Sequence, residues 1–268
     1  MYDCNVRKNL KGIVFGTLYL FCLPFNKGIR AIILYHSVND KILFLKQTLY
    51  LKKNFRIILL KNLEKEITKG RTKENILSLT FDDVEESIYK NALPILEDLG
   101  LKATFFISTN WLGKNINTPF RGRKIINPQE VREISLLGHE IGAHSMNHLK
   151  LTEIPLSEAR KEIFQSKSYL ENLIGSSVVS FAYPQGAFNK RICDLVKEAQ
   201  FHYGVTIKEA LLKKDIDWFE LPRIGIDKTI YETIGMFQFR GKVSKALEIY
   251  EFLRGRRRII TSRNKKVQ

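Results

Sequence analysis

Two adjacent carboxylates, Asp82 and Asp83, close an apolar run in the stretch "LSLTFDDVEESIYKNALPIL" at residues 78–97. Ionised side by side at the end of a buried strand, they repel each other and lose hydration, so a positive charge must hold them. Some sixty positions later, "HEIGAHSMNH" (139–148) carries His144 and His148, four apart. In a helical turn that spacing puts both imidazoles on one face, within reach of a single ion. One Asp and two His supply three protein ligands and leave positions open for water, the arrangement of a hydrolytic zinc site. A divalent cation would also explain the paired carboxylates, one ligating it and the other kept ionised by its field. Taken alone, the histidine pair also reads as two partly exposed side chains; the acidic strand end turns it into a ligand set. His139 and Glu140 imitate HExxH, but the next histidine is His144, so the zincin spacing fails by one residue. The zinc deaminase signature is missing too, for want of its paired cysteines.

These residues need a scaffold that brings distant segments together. From residue 30 onward short apolar runs alternate with helical spacing. "AIILYH" (31–36), "FRIILL" (55–60), "ILSLTF" (76–81), "ATFFIS" (103–108), "HEIGAH" (139–144), "VVSFAY" (178–183) and "YGVTI" (203–207) read as strands, with "LPRIGI" (221–226) a weaker eighth. Asn127-Pro128 starts a helix with Pro at its first position, and Ser157 opens a longer one closed by Gly175. Strands apolar on both faces and separated by amphipathic helices predict a parallel sheet or a β/α barrel, and seven or eight units favour the barrel, in a single domain. In such folds the chemistry lies at the carboxyl ends of the strands. Asp82, Asp83, Ser108, His144, Tyr183 and Pro184 all fall there.

"LTFDD", then "GHEIGAHSMNH", then "SFAYPQGAFN" resemble, in this order, the polysaccharide deacetylase (NodB-like) domain, carbohydrate esterase family 4. "ILYHSV", "GLKATFFIS" and "LPRIGID" look like the branch of that family with an additional N-terminal strand, and the resemblance covers about residues 30–230. It implies a distorted β/α barrel and metal-assisted removal of an N-acetyl or O-acetyl group from a sugar. Asp83, His144 and His148 would bind the metal, usually zinc. Asp82 would be the general base, and the Tyr183 backbone N–H, beside Pro184, the oxyanion donor.

The sequence departs from the family pattern in places. Val84 stands where the family has a glycine after the aspartates, and Ala182-Tyr183-Pro184 lacks the arginine that many members carry. Arg223 is expected to supply that charge and orient Asp82. No late histidine follows residue 210, so His36, at the end of the first strand, is the expected substitute for protonating the leaving amine; it also reads as a packing residue. Asp217-Trp218 resembles a further family motif, with Trp218 either a substrate contact or plain core. The expected partner is an acetylated glycan or a lipid-linked sugar precursor. Two alternatives stand beside it: a non-catalytic carbohydrate-binding protein on the same fold, and a hydrolase of another non-peptide C–N bond.

The 268 residues are 44% apolar, enough for one sizeable core. Cys4, Cys22 and Cys193 lie far apart and support neither a disulfide framework nor a cysteine zinc site. Net charge is +16, and seven of the basic residues (Arg254, Arg256, Arg257, Arg258, Arg263, Lys265 and Lys266) fall in a tail at 254–268 without one acid. That tail reads as solvated chain or as a contact for an anionic membrane surface. Scattered lysines without interleaved aromatics predict no nucleic-acid partner. At the other end, residues 1–29 join Arg7, Lys8 and Lys11 to "GIVFGTLYLFCLPF", too short for a bilayer span and followed by no small-x-small cleavage site. The chain is therefore expected to be membrane-associated, with a cytoplasmic or secreted location as the alternative, and a C-terminal helix is expected over 231–253.

Overall fold

In the computed structural model, residues 28–68, 74–117, 122–213 and 215–226 are described. Strand β1 (Arg30–Tyr35) is buried at every position, and so is β3 (Ile76–Asp82). Such strands need cover on both faces, which parallel sheets wrapped by helices supply. The remaining strands of the main sheet are β2 (Arg56–Ile57), β4 (Thr104–Ile107), β7 (Glu140–Ala143), β8 (Ser180–Ala182), β9 (Tyr203–Val205) and β10 (Ile224–Gly225). Their order is β10-β1-β3-β4-β7-β8-β9, with β2 on β3, and every pairing is parallel. At the far end Leu221 bridges to Val205 of β9, while β10 pairs with β1. Residues 221–226 therefore join the two edges of the curled sheet, and the result is the distorted barrel that the alternating pattern predicts. All eight expected strands have a counterpart; "LPRIGI" contributes only the two-residue β10 and the Leu221 bridge.

Helices α1 (Lys41–Asn54), α2 (Leu63–Thr68), α3 (Leu93–Asp98), α4 (Pro128–Leu136), α5 (Leu156–Ile174) and α6 (Lys190–Glu198) fill the connections. The expected start at Asn127-Pro128 is a full capping box: the Asn127 side chain accepts from the Glu130 N–H and the Glu130 side chain from the Asn127 N–H. α5 begins at Leu156 without a side-chain cap, one residue before the expected Ser157, and ends where Gly175 takes φ 68°. Outward-facing aromatics bind this layer to the sheet. Phe81 stacks between Tyr35 (5.3 Å) and Phe105 (5.0 Å), and Phe44 of α1 closes on Tyr35 edge-on.

One element was not expected. Between β4 and α4 the chain forms an antiparallel pair, β5 (Asn115–Asn117) and β6 (Gly122–Lys124). Apart from Ile116 it has no large apolar residue, and its strands are too short to show a period. The expectations for the N-terminal apolar segment, the helix over 231–253 and the basic tail lie outside the described residues. Among the described residues no helix is long and apolar enough to cross a membrane.

Candidate active site

Alternation along a strand sends neighbouring side chains to opposite faces, so Asp82 and Asp83 should point apart. They converge because β3 ends at Asp82 and Asp83 takes a left-handed backbone, φ 55°. Aspartate tolerates that conformation better than most residues. The left-handed residue is thus the aspartate itself, and Val84, where the family has glycine, is buried and takes no positive φ. Asp82 faces inward, where Arg223 grips it with two parallel bonds: Nη1 donates to Oδ1 and Nη2 to Oδ2, each 2.7 Å. Both side chains are almost fully buried. Arg223 is itself fixed by donating Nε–H to the Thr206 carbonyl (2.8 Å) and by lying over the Phe106 ring. Phe106 has that room because Gly142 lacks a side chain; a Cβ there would come within 2.5 Å of the ring.

The histidines come from the end of β7. They do not share a helical turn, as their spacing alone implied: residues 144–148 form a loop in which Ser145 (φ 61°) and His148 (φ 57°) are left-handed. Two devices hold it. The His148 N–H donates to Ser145 Oγ (3.0 Å), and the buried Glu162 carboxylate of α5 accepts from the Met146 and Asn147 N–H groups (2.9 and 2.8 Å) and from Asn147 Nδ2. The two rings stand edge to face, centroids 4.7 Å apart. His144 Nδ1 lies 2.7 Å from the Ala182 carbonyl, which can only accept, so the proton is on Nδ1 and the Nε2 lone pair points into the site. His148 Nε2 is 3.5 Å and His144 Nε2 3.7 Å from Asp83 Oδ1.

One ligand atom each from Asp83, His144 and His148 lie within 4.8 Å of one another. Asp83 Oδ1 is buried and has no hydrogen-bond partner, although its other oxygen accepts from Arg123 Nη1 at 2.9 Å. A carboxylate oxygen buried without a partner and facing two imidazole nitrogens fits a divalent cation. Burial, and next the neighbouring His144, push the His148 pKa down to about 4, so that ring is neutral and free to ligate at neutral pH. Burial pushes the Asp82 carboxyl up, but the Arg223 charge with its hydrogen bonds, and then His144 and His36, win and hold it well below the usual carboxylate range.

The other expected residues divide. His36 is half-buried beside Asp82, following Tyr35, which pairs with Phe81. The Tyr183 N–H is already used: it donates to the Val205 carbonyl at 3.1 Å and is not free for an oxyanion. The next turn offers a substitute. Pro184 leads into Gln185 at φ 56°, and the turn's own bonds are made by the Gly186 and Ala187 N–H groups, leaving the Gln185 N–H outside them. Trp218 is a correction. Its ring packs edge-on against Tyr203, the first residue of β9, whose hydroxyl reaches the Lys61 carbonyl and Glu64. That is the amino-terminal side of the strands, away from the aspartates. The tryptophan at the site is Trp111, whose ring lies on His148 with centroids 4.8 Å apart. Trp111, Arg123 and Glu162 were missed by sequence reasoning; each meets its partner across 15 or more positions, where no motif spacing operates.

A parallel β/α barrel carrying an Asp-His-His cluster and an Arg-clamped aspartate at its carboxyl end defines a metal-site hydrolase scaffold. Comparison then narrows it. The polysaccharide deacetylase family matches residues 69–204, and the chain belongs to that family. As a member it is a carbohydrate deacetylase, a hydrolase that removes acetyl groups from a sugar polymer. The poly-β-1,6-N-acetyl-D-glucosamine N-deacetylase of Staphylococcus epidermidis is 28% identical over 209 residues, 74% of this chain and 71% of the relative. Its Staphylococcus aureus counterpart is 29% identical over 205 residues, and the chain spans 64% of that relative's length. Among solved structures, the Streptococcus pyogenes deacetylase PplD in complex with acetate aligns with TM-score 0.68 at 19% identity, covering 78% of this chain and 98% of that one. IcaB from Ammonifex degensii aligns with TM-score 0.68 at 18% identity, covering 78% and 97%.

Proposed function

We propose that this chain removes N-acetyl groups from a β-1,6-linked N-acetylglucosamine polymer, with one zinc ion held by Asp83, His144 and His148. The substrate is carried over from the names of the Staphylococcus relatives. The observation that carries the reaction type is the orphaned Asp83 Oδ1 between two imidazoles, beside a second carboxylate already neutralised by Arg223. When bound, the ion lowers the pKa of water and polarises the acetyl carbonyl. Asp82 takes the proton from the attacking water, and Arg223 keeps it ionised and aimed. His36 returns a proton to the leaving amine. The Gln185 N–H, outside its turn's bonds, donates to the oxyanion of the tetrahedral intermediate.

Acetate release from the purified polymer tests the reading. Chelation should abolish release and zinc should restore it. Asp82→Asn should lower kcat by about 10²–10⁴-fold, the usual contribution of a positioned base. Full activity in Asp82→Asn, or in chelated protein, would refute it. A His36→Gln variant should lose its rate on amide-linked acetyl groups more than on ester-linked ones, because a poor amine leaving group needs the proton more. We further place the chain at an anionic membrane surface or on a lipid-linked sugar, on the strength of the basic tail and the apolar N-terminal run. Co-sedimentation with vesicles containing anionic lipid, lost at high salt, is the corresponding measurement.

A further inference from the structure

Asp83 has two oxygens in different company. Oδ1 faces His148 and His144 and lacks a hydrogen-bond partner, whereas Oδ2 accepts from Arg123 Nη1 at 2.9 Å. The pair is largely desolvated, with the arginine side chain 18% exposed and the aspartate 5%, so it is not a solvated surface ion pair. Nor is the arginine a loosely tethered one. The chain running out of β6 is tied to the segment that follows the ligand: Ile125 forms an antiparallel bridge with Glu85, and the Ile126 N–H donates to the Val84 carbonyl at 3.2 Å. Backbone pairing therefore sets where the Arg123 side chain begins, two and three residues from those contacts. Arg123 is also not required for the neighbouring Asp82, whose charge Arg223 already meets. Each of the two adjacent carboxylates has its own guanidinium.

A carboxylate with both oxygens free can ligate an ion through one oxygen or through two. The second mode takes up a position that substrate or water needs. We propose that Arg123 is a positioning residue that occupies Oδ2 and makes Asp83 a one-oxygen ligand, keeping the ion's remaining positions open. The proposal rests on the reading of Asp83, His144 and His148 as a metal site. It assigns a task to the antiparallel pair β5–β6 that no motif in the sequence announces, since Arg123 and Asp83 are 40 positions apart.

The test uses the full chain as wild type, Arg123→Ala and Arg123→Lys, loaded with zinc or cobalt alone. Zinc affinity is read by competition with a chromogenic chelator, and the cobalt protein's visible bands report coordination number without any turnover. Loss of a partner to a metal ligand costs about 10–100-fold in affinity, and that is the weakening expected of Arg123→Ala, with fainter cobalt bands as the second oxygen joins. Arg123→Lys, which keeps one charged donor, should recover most of both signals. Melting of the metal-free proteins checks that the variants fold alike, and should Arg123→Ala not fold, Arg123→Gln takes its place. Wild-type affinity and spectrum in Arg123→Ala, or Arg123→Lys binding no better than Arg123→Ala, would overturn the proposal and leave the metal site standing. A wild-type chain that takes up no zinc would remove the metal site itself, and this inference with it.

Discussion

The inner face of the barrel holds a carboxylate at each end, Glu140 at the start of β7 and Asp82 at the end of β3, and they are satisfied in opposite ways. Glu140 receives neutral donors: the Lys61 N–H (2.9 Å), Thr104 Oγ1 (3.0 Å) and Ser180 Oγ (2.5 Å). Burial wins there and pushes its pKa up. Asp82 is equally buried but meets the Arg223 guanidinium, and its pKa goes down. The difference separates a plug from a site. Neutral hydrogen bonds close the amino end of the barrel with a group that can hold its proton. A fixed cation at the carboxyl end keeps a charge where chemistry starts from an anion.

The comparison can be broken by removing either partner set. Arg223→Ala leaves Asp82 buried and uncompensated, so it should cost about 3–5 kcal/mol in urea denaturation as well as acetate release. Glu140→Gln keeps one acceptor oxygen among the same neutral donors and should cost less, about 1–3 kcal/mol, with activity nearly intact. If the two variants lose equal stability, the two ends are not held differently. Gly142→Ala tests the link between the ends, because the added methyl group meets Phe106, on which Arg223 rests. Overpacking of about 1–3 kcal/mol is expected, with activity falling in step as the arginine shifts.

The smallest effect is a pH dependence. Burial, set against the Glu97 charge that raises it, pushes the His139 pKa down to about 4. Unfolding returns it to the ordinary 6.5, so between these values the unfolded chain binds more protons. Its contribution is complete above pH 6.5 and is lost as pH falls toward 4. His139 Nδ1 accepts from the Ala103 N–H at 3.1 Å, a bond that an amide oxygen can reproduce. His139→Asn should therefore fold and show a flatter loss of urea stability across that window than wild type. Parallel curves would remove the histidine from the account.

How much of this was legible in the chain follows from which contacts are local. The strands were readable because two-sided burial leaves continuous apolar runs. Asp82 and Asp83 were readable because they interrupt one. Arg223 was readable because the charge missing before Pro184 had to come from somewhere, and "LPRIGI" offered a basic residue in a weak eighth strand. The loop of His144 and His148 misled: a spacing of four fits a helix, and nothing local marks Ser145 and His148 as left-handed until Glu162 is seen holding the backbone between them. Tyr183 is not available as a donor because the pairing of β8 with β9 continues one residue past Ala182 and uses its N–H. Trp218 stood as a substrate contact by motif likeness or as plain core, and the structure packs it against Tyr203, as core.

Arg223 belongs to residues 221–226, the segment that joins β9 to β1, and its carboxylate partner lies 141 positions earlier. A chain emerging from the ribosome has every proposed metal ligand long before it has the guanidinium that orients the base. Until the last strand docks, water near the ion would meet an aspartate without its fixed counter-charge. On the proposed assignment of Asp82 as the base, hydrolysis would be conditional on ring closure, and the onset of acetate release in refolding protein would serve as a clock for the docking of residues 221–226.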